Sequence, residues 1–102
     1  MASINIDSIL SEAGIPVAYG FFRKQTTLPY IVWLGSGQNT FQADNTHYHR
    51  ENSYQIELYY KLKDPSLEER IEQILLDHGL LYDKSEDVYI DDEGVFLIYY
   101  YV

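Results

Sequence analysis

From Tyr54 to Lys63 the chain alternates between apolar and polar positions. Tyr54, Ile56, Leu58, Tyr60 and Leu62 fall on one side, and Gln55, Glu57, Tyr59, Lys61 and Lys63 on the other. Side chains of a strand point to opposite faces with period two, so this predicts a strand with one buried and one wet face. If pairing begins near His47, the strand is long. It stops at Asp64-Pro65, where Asp suits a helix N-cap and Pro the first helical position. Pro65–His78 then carries Leu67, Ile71, Ile74, Leu75 and His78 at helical spacing. Glu68, Glu69 and Glu72 lie in its early turns, where the helix dipole favours carboxylates, and Gly79 supplies the stop.

The same reading covers the rest of the chain. Residues 4–13 place Ile6, Ile9, Leu10 and Ala13 on one helical face, with Ser3 or Asn5 as cap and Gly14 as stop. Val17–Arg23 predicts a first strand, with Gly20 at a bulge or a close approach. After the polar link Lys24–Leu28, Pro29 opens a strand over Tyr30–Leu34 that is apolar on both faces. Gly35–Thr46 is rich in Gly, Ser, Asn, Asp and Gln, and reads as a flexible loop with Phe41 as its one large apolar group. Phe41 either tucks back onto the sheet or anchors a mobile arm. Asp83–Glu86 is expected to loop out, Val88–Ile90 and Val95–Val102 to form a hairpin, and Asp91–Gly94 to turn between them. The last strand is apolar throughout and has to lie inside the sheet or under another chain.

The expected order is thus α-β-β-β-α-β-β. Both helices are amphipathic, so each covers one face only. The economical fold is α+β, a single two-layer domain over residues 1–102. It has an antiparallel-rich mixed sheet and both helices on one face. The other sheet face is left with many of the eleven tyrosines.

Charge and composition narrow the function. A net charge of −9 argues against a surface that holds nucleic-acid phosphates, though not against one that DNA passes. The chain has no cysteine, which removes disulfides, thiol nucleophiles and Cys-type zinc sites. No apolar run reaches the roughly 20 residues of a membrane span. The opening MASINIDS lacks a basic region followed by an apolar one, so no signal peptide is expected.

Candidate chemistry is sparse. His47 and His49 would share one strand face, half of a metal site, with Asp44 or Glu51 as conceivable third ligands; a solvated strand end is the plainer reading. Gly35-Ser36-Gly37 lacks the Lys-Ser/Thr ending of a phosphate loop. Glu86, Asp87, Asp91, Asp92 and Glu93 lack calcium-loop spacing and read as a solvated turn. No catalytic residue, metal or cofactor is expected. Trp33 is expected as a core or sheet-face anchor, with an interface role beside it.

Several strings carry a resemblance: Pro29–Gly35 (PYIVWLG), Phe41–Asn45 (FQADN), Tyr54–Tyr59 (YQIELY) with Lys61–Asp64, the helix around Glu68–Glu72, and the ending Tyr99-Tyr100. Together they resemble a family of small proteins encoded in the head-to-tail region of tailed phages and prophages of Gram-positive bacteria. Its members are tail-completion, tail-terminator or minor tail proteins. The resemblance implies a structural protein and not an enzyme. It implies a homo-oligomeric ring, typically a hexamer, that caps the tail tube and meets a head-completion or connector protein. The virion would be its location, after assembly in the host cytoplasm. DNA would pass without specific binding, and no membrane would be involved. Candidate subunit or tube contacts are Tyr30, Val32, Trp33, Phe41, Tyr99, Tyr100 and Tyr101. A small acidic cytosolic binding module is the alternative, and a metal enzyme using His47 and His49 a more distant one.

Overall fold

The computed structural model describes residues 5–39 and 51–102. Its elements are α1 (Ile6–Ser11), β1 (Val17–Tyr19), β2 (Tyr30–Asn39), β3 (Glu51–Tyr60), α2 (Pro65–Asp77), β4 (Asp83–Lys84), β5 (Val88–Ile90) and β6 (Val95–Tyr101). They make a small α+β domain with one mixed sheet in the order β1-β2-β3-β6, and β4 and β5 both pair with β6. Only β1 and β2 run parallel.

Register separates the two faces. Ile56 lies opposite Trp33 and Tyr100, and Leu58 opposite Ile31 and Ile98. These side chains meet Ile6, Leu10 and Ala13 of the N-terminal segment and Leu67, Ile71 and Leu75 of α2 in one core. Both helices therefore cover the same face, as their single apolar stripes require. The opposite face carries Tyr30, Val32, Glu57, Tyr59, Leu97, Tyr99 and Tyr101, and among the described residues no helix lies on it.

The helix ends follow their caps. The Asn5 side chain accepts a hydrogen bond from the Ser8 N–H at 3.1 Å, and Asp64 accepts one from the Leu67 N–H at 3.2 Å. α1 is shorter than expected because the chain tightens after Ser11: Ala13 N–H bonds Leu10 O, and Gly14, at φ +82, turns the chain away.

Four expectations need correction. The strand predicted over Val17–Arg23 ends at Tyr19, because Gly20 at φ +78 turns the backbone out of the sheet. Gly35–Asn39, expected in the flexible loop, continues β2 instead. A bulge between Gly35 and Gly37 resets the register, and Gly37, Gln38 and Asn39 then pair with Ser53, Asn52 and Glu51. Gly37 at φ +91 supplies a conformation other residues avoid. The remainder of that loop, with Phe41, His47 and His49, lies outside the described residues. Asp83-Lys84 does not loop out but pairs with Tyr101 and Tyr100 as β4. Between β4 and β5 the Ser85 hydroxyl accepts the Tyr99 N–H at 2.9 Å, filling the place of a missing strand carbonyl. Leu62, counted with the buried side of the alternation, is 83% exposed because the strand has already ended at Tyr60.

Candidate functional site

The uncovered face is the surface with organised chemistry. It is made by the residues that alternate with the core positions along β2, β3 and β6, and tyrosines line it because the strand pattern puts them there. Tyr30 and Tyr59 lie opposite each other in the register with ring centroids 5.2 Å apart. Phe22 meets Tyr30 edge-on at 4.8 Å, and Tyr99 stacks over Tyr101 at 5.9 Å. Contacts of this geometry add to simple burial. Within this face Glu57 is 8% exposed. Its oxygens accept hydrogen bonds from Gln55 Nε2 at 2.6 Å and the Tyr59 hydroxyl at 2.8 Å. Burial, followed by this bond to Glu57, holds the Tyr59 phenol well above its ordinary range.

At one end of the face the chain between β1 and β2 bounds a groove of about 620 Å³. Val32, Val95, Tyr30 and Tyr59 line it from the sheet, Phe21, Phe22, Arg23 and Lys24 from the connection, and Lys61 from the end of β3. Glu93 is the carboxylate among the lining residues.

The interface candidates divide between the faces. Tyr30, Val32, Tyr99 and Tyr101 lie on the face opposite the helices, but Val32 is buried there and offers little surface to a partner. Trp33 and Tyr100 point to the helices. Tyr100 is 0% exposed and belongs to the core, so an interface role for it is corrected. The alternation runs through both aromatic strands, and sequence alone left open which half faced inward. Trp33 donates from Nε1 to Asp7 at 3.0 Å and packs on Tyr19 at 4.9 Å. Phe41 lies outside the described residues.

A polar cluster that the sequence reading missed ties α2 to the far sheet edge. Lys84 Nζ lies 2.7 Å from Glu72 and 3.0 Å from Glu68, and Lys63 lies 2.8 Å from Glu68 and 3.0 Å from Asp87. The Tyr100 hydroxyl donates to Glu72 at 2.7 Å, and Tyr60 donates to Asp87. Glu68 and Glu72 satisfy a helix dipole locally, but their cations come from β4 and from the end of the long strand, which no local pattern announces.

This cluster contributes to the pH dependence of the fold. Burial opposes the Glu72 charge, but Lys84, Tyr100 and Tyr82 outweigh it and hold its carboxyl below the ordinary 4.5. Hydrogen bonds from Tyr60 and Lys63 hold Asp87 below 3.8. Depressed carboxyls stabilise the fold above their ordinary values, and that contribution is lost as pH falls through the folded values. Burial, then hydrogen bonding to Glu72, raises Tyr100 far above 10.0. Its contribution is complete below 10.0 and fades as pH rises beyond it. Urea midpoints should therefore be level through neutral pH and fall at both ends. A midpoint that holds or rises on acidification below about pH 4 would contradict this reading.

Among the described residues no group of three or more His, Asp or Glu side chains is placed to hold a metal, and no helix is long and apolar enough to cross a membrane. Compared with models of protein families and with curated proteins, the chain matches none.

Proposed function

We propose that this chain is a phage virion structural protein, a tail terminator or tail-completion protein that assembles as a ring on the tail tube and joins it to the neck. The observation that carries the reading is a sheet that, among the described residues, is open at both edges. At one edge β1 pairs, among the described residues, only with β2, and Tyr19 and Phe21 are 63% and 68% exposed. At the other, β4 and β5 pair only with β6, and Leu81 and Tyr89 are 82% and 53% exposed. Two different unpaired edges at opposite ends suit a head-to-tail contact, in which one edge of each subunit meets the other edge of the next. Such a contact closes into a ring when its rotation allows. It also protects edges that would otherwise invite uncontrolled pairing.

The ribbon of Gly37–Asn39 against Glu51–Ser53 supports the same reading. It runs past the residues that pair with β1 and β6, so it reaches beyond the body of the sheet. A projecting ribbon can reach a tube or neck partner without disturbing the ring contacts. The net charge of −9 suits a passage through which DNA slides without being held. Another head–tail connector or minor tail protein is the nearest alternative, and an acidic binding module the next. A metal enzyme built on His47 and His49, which lie outside the described residues, is the most distant reading.

Sedimentation over a concentration series, with and without polymerised tube protein, tests the proposal. Rings are expected at high concentration or on tube ends. Leu81→Lys combined with Tyr89→Lys should suppress them while the monomer still melts cooperatively. A compact monomer under all conditions, with no tube binding, would reject it.

A further inference from the structure

The groove at the end of the uncovered face differs electrically from the rest of the molecule. The chain carries seven Lys and Arg against sixteen Asp and Glu. Lys63 and Lys84 are committed to the cluster on α2, and the Arg70 guanidinium donates to Ala13 O at 2.9 Å. Arg23, Lys24 and Lys61 all line the groove, are exposed, and form no ion pair among the described residues. In so acidic a protein, three cations outside any ion pair among the described residues, gathered on one concavity that Glu93 alone lines with a carboxylate, form a local site for negative charge. The lining mixes polar and aromatic groups: Gln25 and Thr26 stand beside Phe22, Tyr30 and Tyr59, whose rings form a continuous run of contacts, and Val32 is buried at the base.

We propose that this groove binds a short acidic segment of a partner protein, with carboxylates on Arg23, Lys24 and Lys61 and an apolar side chain seated between the aromatic rings. A peptide fits better than a nucleic acid strand. The turn beside the groove carries exposed Asp91 and Asp92, Glu93 lines the groove itself, and the chain as a whole is strongly negative. A long phosphate backbone would have to run past that charge, whereas a short segment meets three cations against the one lining carboxylate, Glu93. A volume of about 620 Å³ holds a few side chains and not a folded element. The apolar floor rewards a ligand that also brings a hydrophobic group.

The probe is a fluorescein-labelled peptide in which Asp and Glu alternate with Phe and Leu, read by anisotropy against the intact chain. Binding should weaken with added salt. It should fall about tenfold or more in the variant Arg23→Gln, Lys24→Gln, Lys61→Gln. All three positions are exposed, so the variant should melt like the parent. A matched peptide with Ser in place of Phe and Leu should bind more weakly. Amide shifts on titration should concentrate at residues 21–24 and 59–61. The proposal is overturned by peptide binding that the variant leaves unchanged, by no binding at about millimolar peptide, by equal binding of the Ser peptide, or by tighter binding of single-stranded oligothymidylate. Ring formation by the same variant is scored separately by sedimentation, so loss of peptide binding with rings intact separates this site from assembly.

Discussion

Leu58→Ala should destabilise the protein by roughly 2–5 kcal/mol. Leu58 is 1% exposed at the centre of the sheet, between Ile31 and Ile98 in the register and beneath the helices. Its neighbours belong to three strands and two helices, so the space it leaves cannot close by moving one of them. A domain of this size has a total stability of about 5–15 kcal/mol, so the variant should lose a large fraction of it. The midpoint should fall by about 4–8 °C for each kcal/mol. Leu62→Ala is the control. It belongs to the same alternation, yet Leu62 is 83% exposed, and its removal should change stability by no more than about 0.5 kcal/mol. Thermal and urea unfolding of the pair measure both. Equal effects at the two positions would show that the burial pattern around β3 is wrong.

Lys84→Met should cost about 2–3 kcal/mol near neutral pH. Lys84 bridges Glu68 and Glu72, and Glu68 is 4% exposed. Without the ammonium, Glu72 loses its only cation among the described residues, and Glu68 keeps Lys63 alone. A carboxylate left in a buried position without its partner is costlier than the pair was beneficial. The Lys84 side chain is 35% exposed, so solvent moderates the loss and places it below that of a fully buried pair. The deficit has a signature that lost packing would lack. It should shrink as pH falls below the ordinary carboxyl value, because a protonated Glu72 no longer needs a cation. Glu72→Gln in the same background should also recover part of it. Denaturation at about pH 7 and about pH 3 reads the difference. A gap below about 0.5 kcal/mol at neutral pH would mean that water replaces the lysine without penalty.

These predictions place the structural stakes on the helix-covered face and its edge cluster, while the proposed functions use the other face and the open edges. That division explains why the tyrosines serve two purposes. Tyr100 and Tyr60 send their hydroxyls into the carboxylates at the helix side. Tyr30, Tyr99 and Tyr101 remain on the face that carries no helix among the described residues, where an apolar ring with a polar tip suits contact with another surface.

Local chemistry alone settled much of this molecule. Alternation from Tyr54 to Tyr60 defined the central strand, Asp64-Pro65 started the second helix, and Gly94 closed the hairpin, because each depends on residues a few positions apart. Two amphipathic helices and a set of strands then implied one sheet with one covered face. Tertiary structure decided what local pattern leaves degenerate. Tyr99 and Tyr100 are adjacent and alike in sequence, and only the register of β6 on β3 sends one outward and the other into the core. Asp83-Lys84 has weak strand character, but the exposed edge of β6 and two glutamates on α2 hold it as β4. The groove joins residues of the β1–β2 connection, the end of β3 and the β5–β6 hairpin, segments that meet only when the sheet has formed. Cations that look scattered along the chain become one site for that reason: strand pairing brings distant positions together, and spacing in sequence carries no record of it.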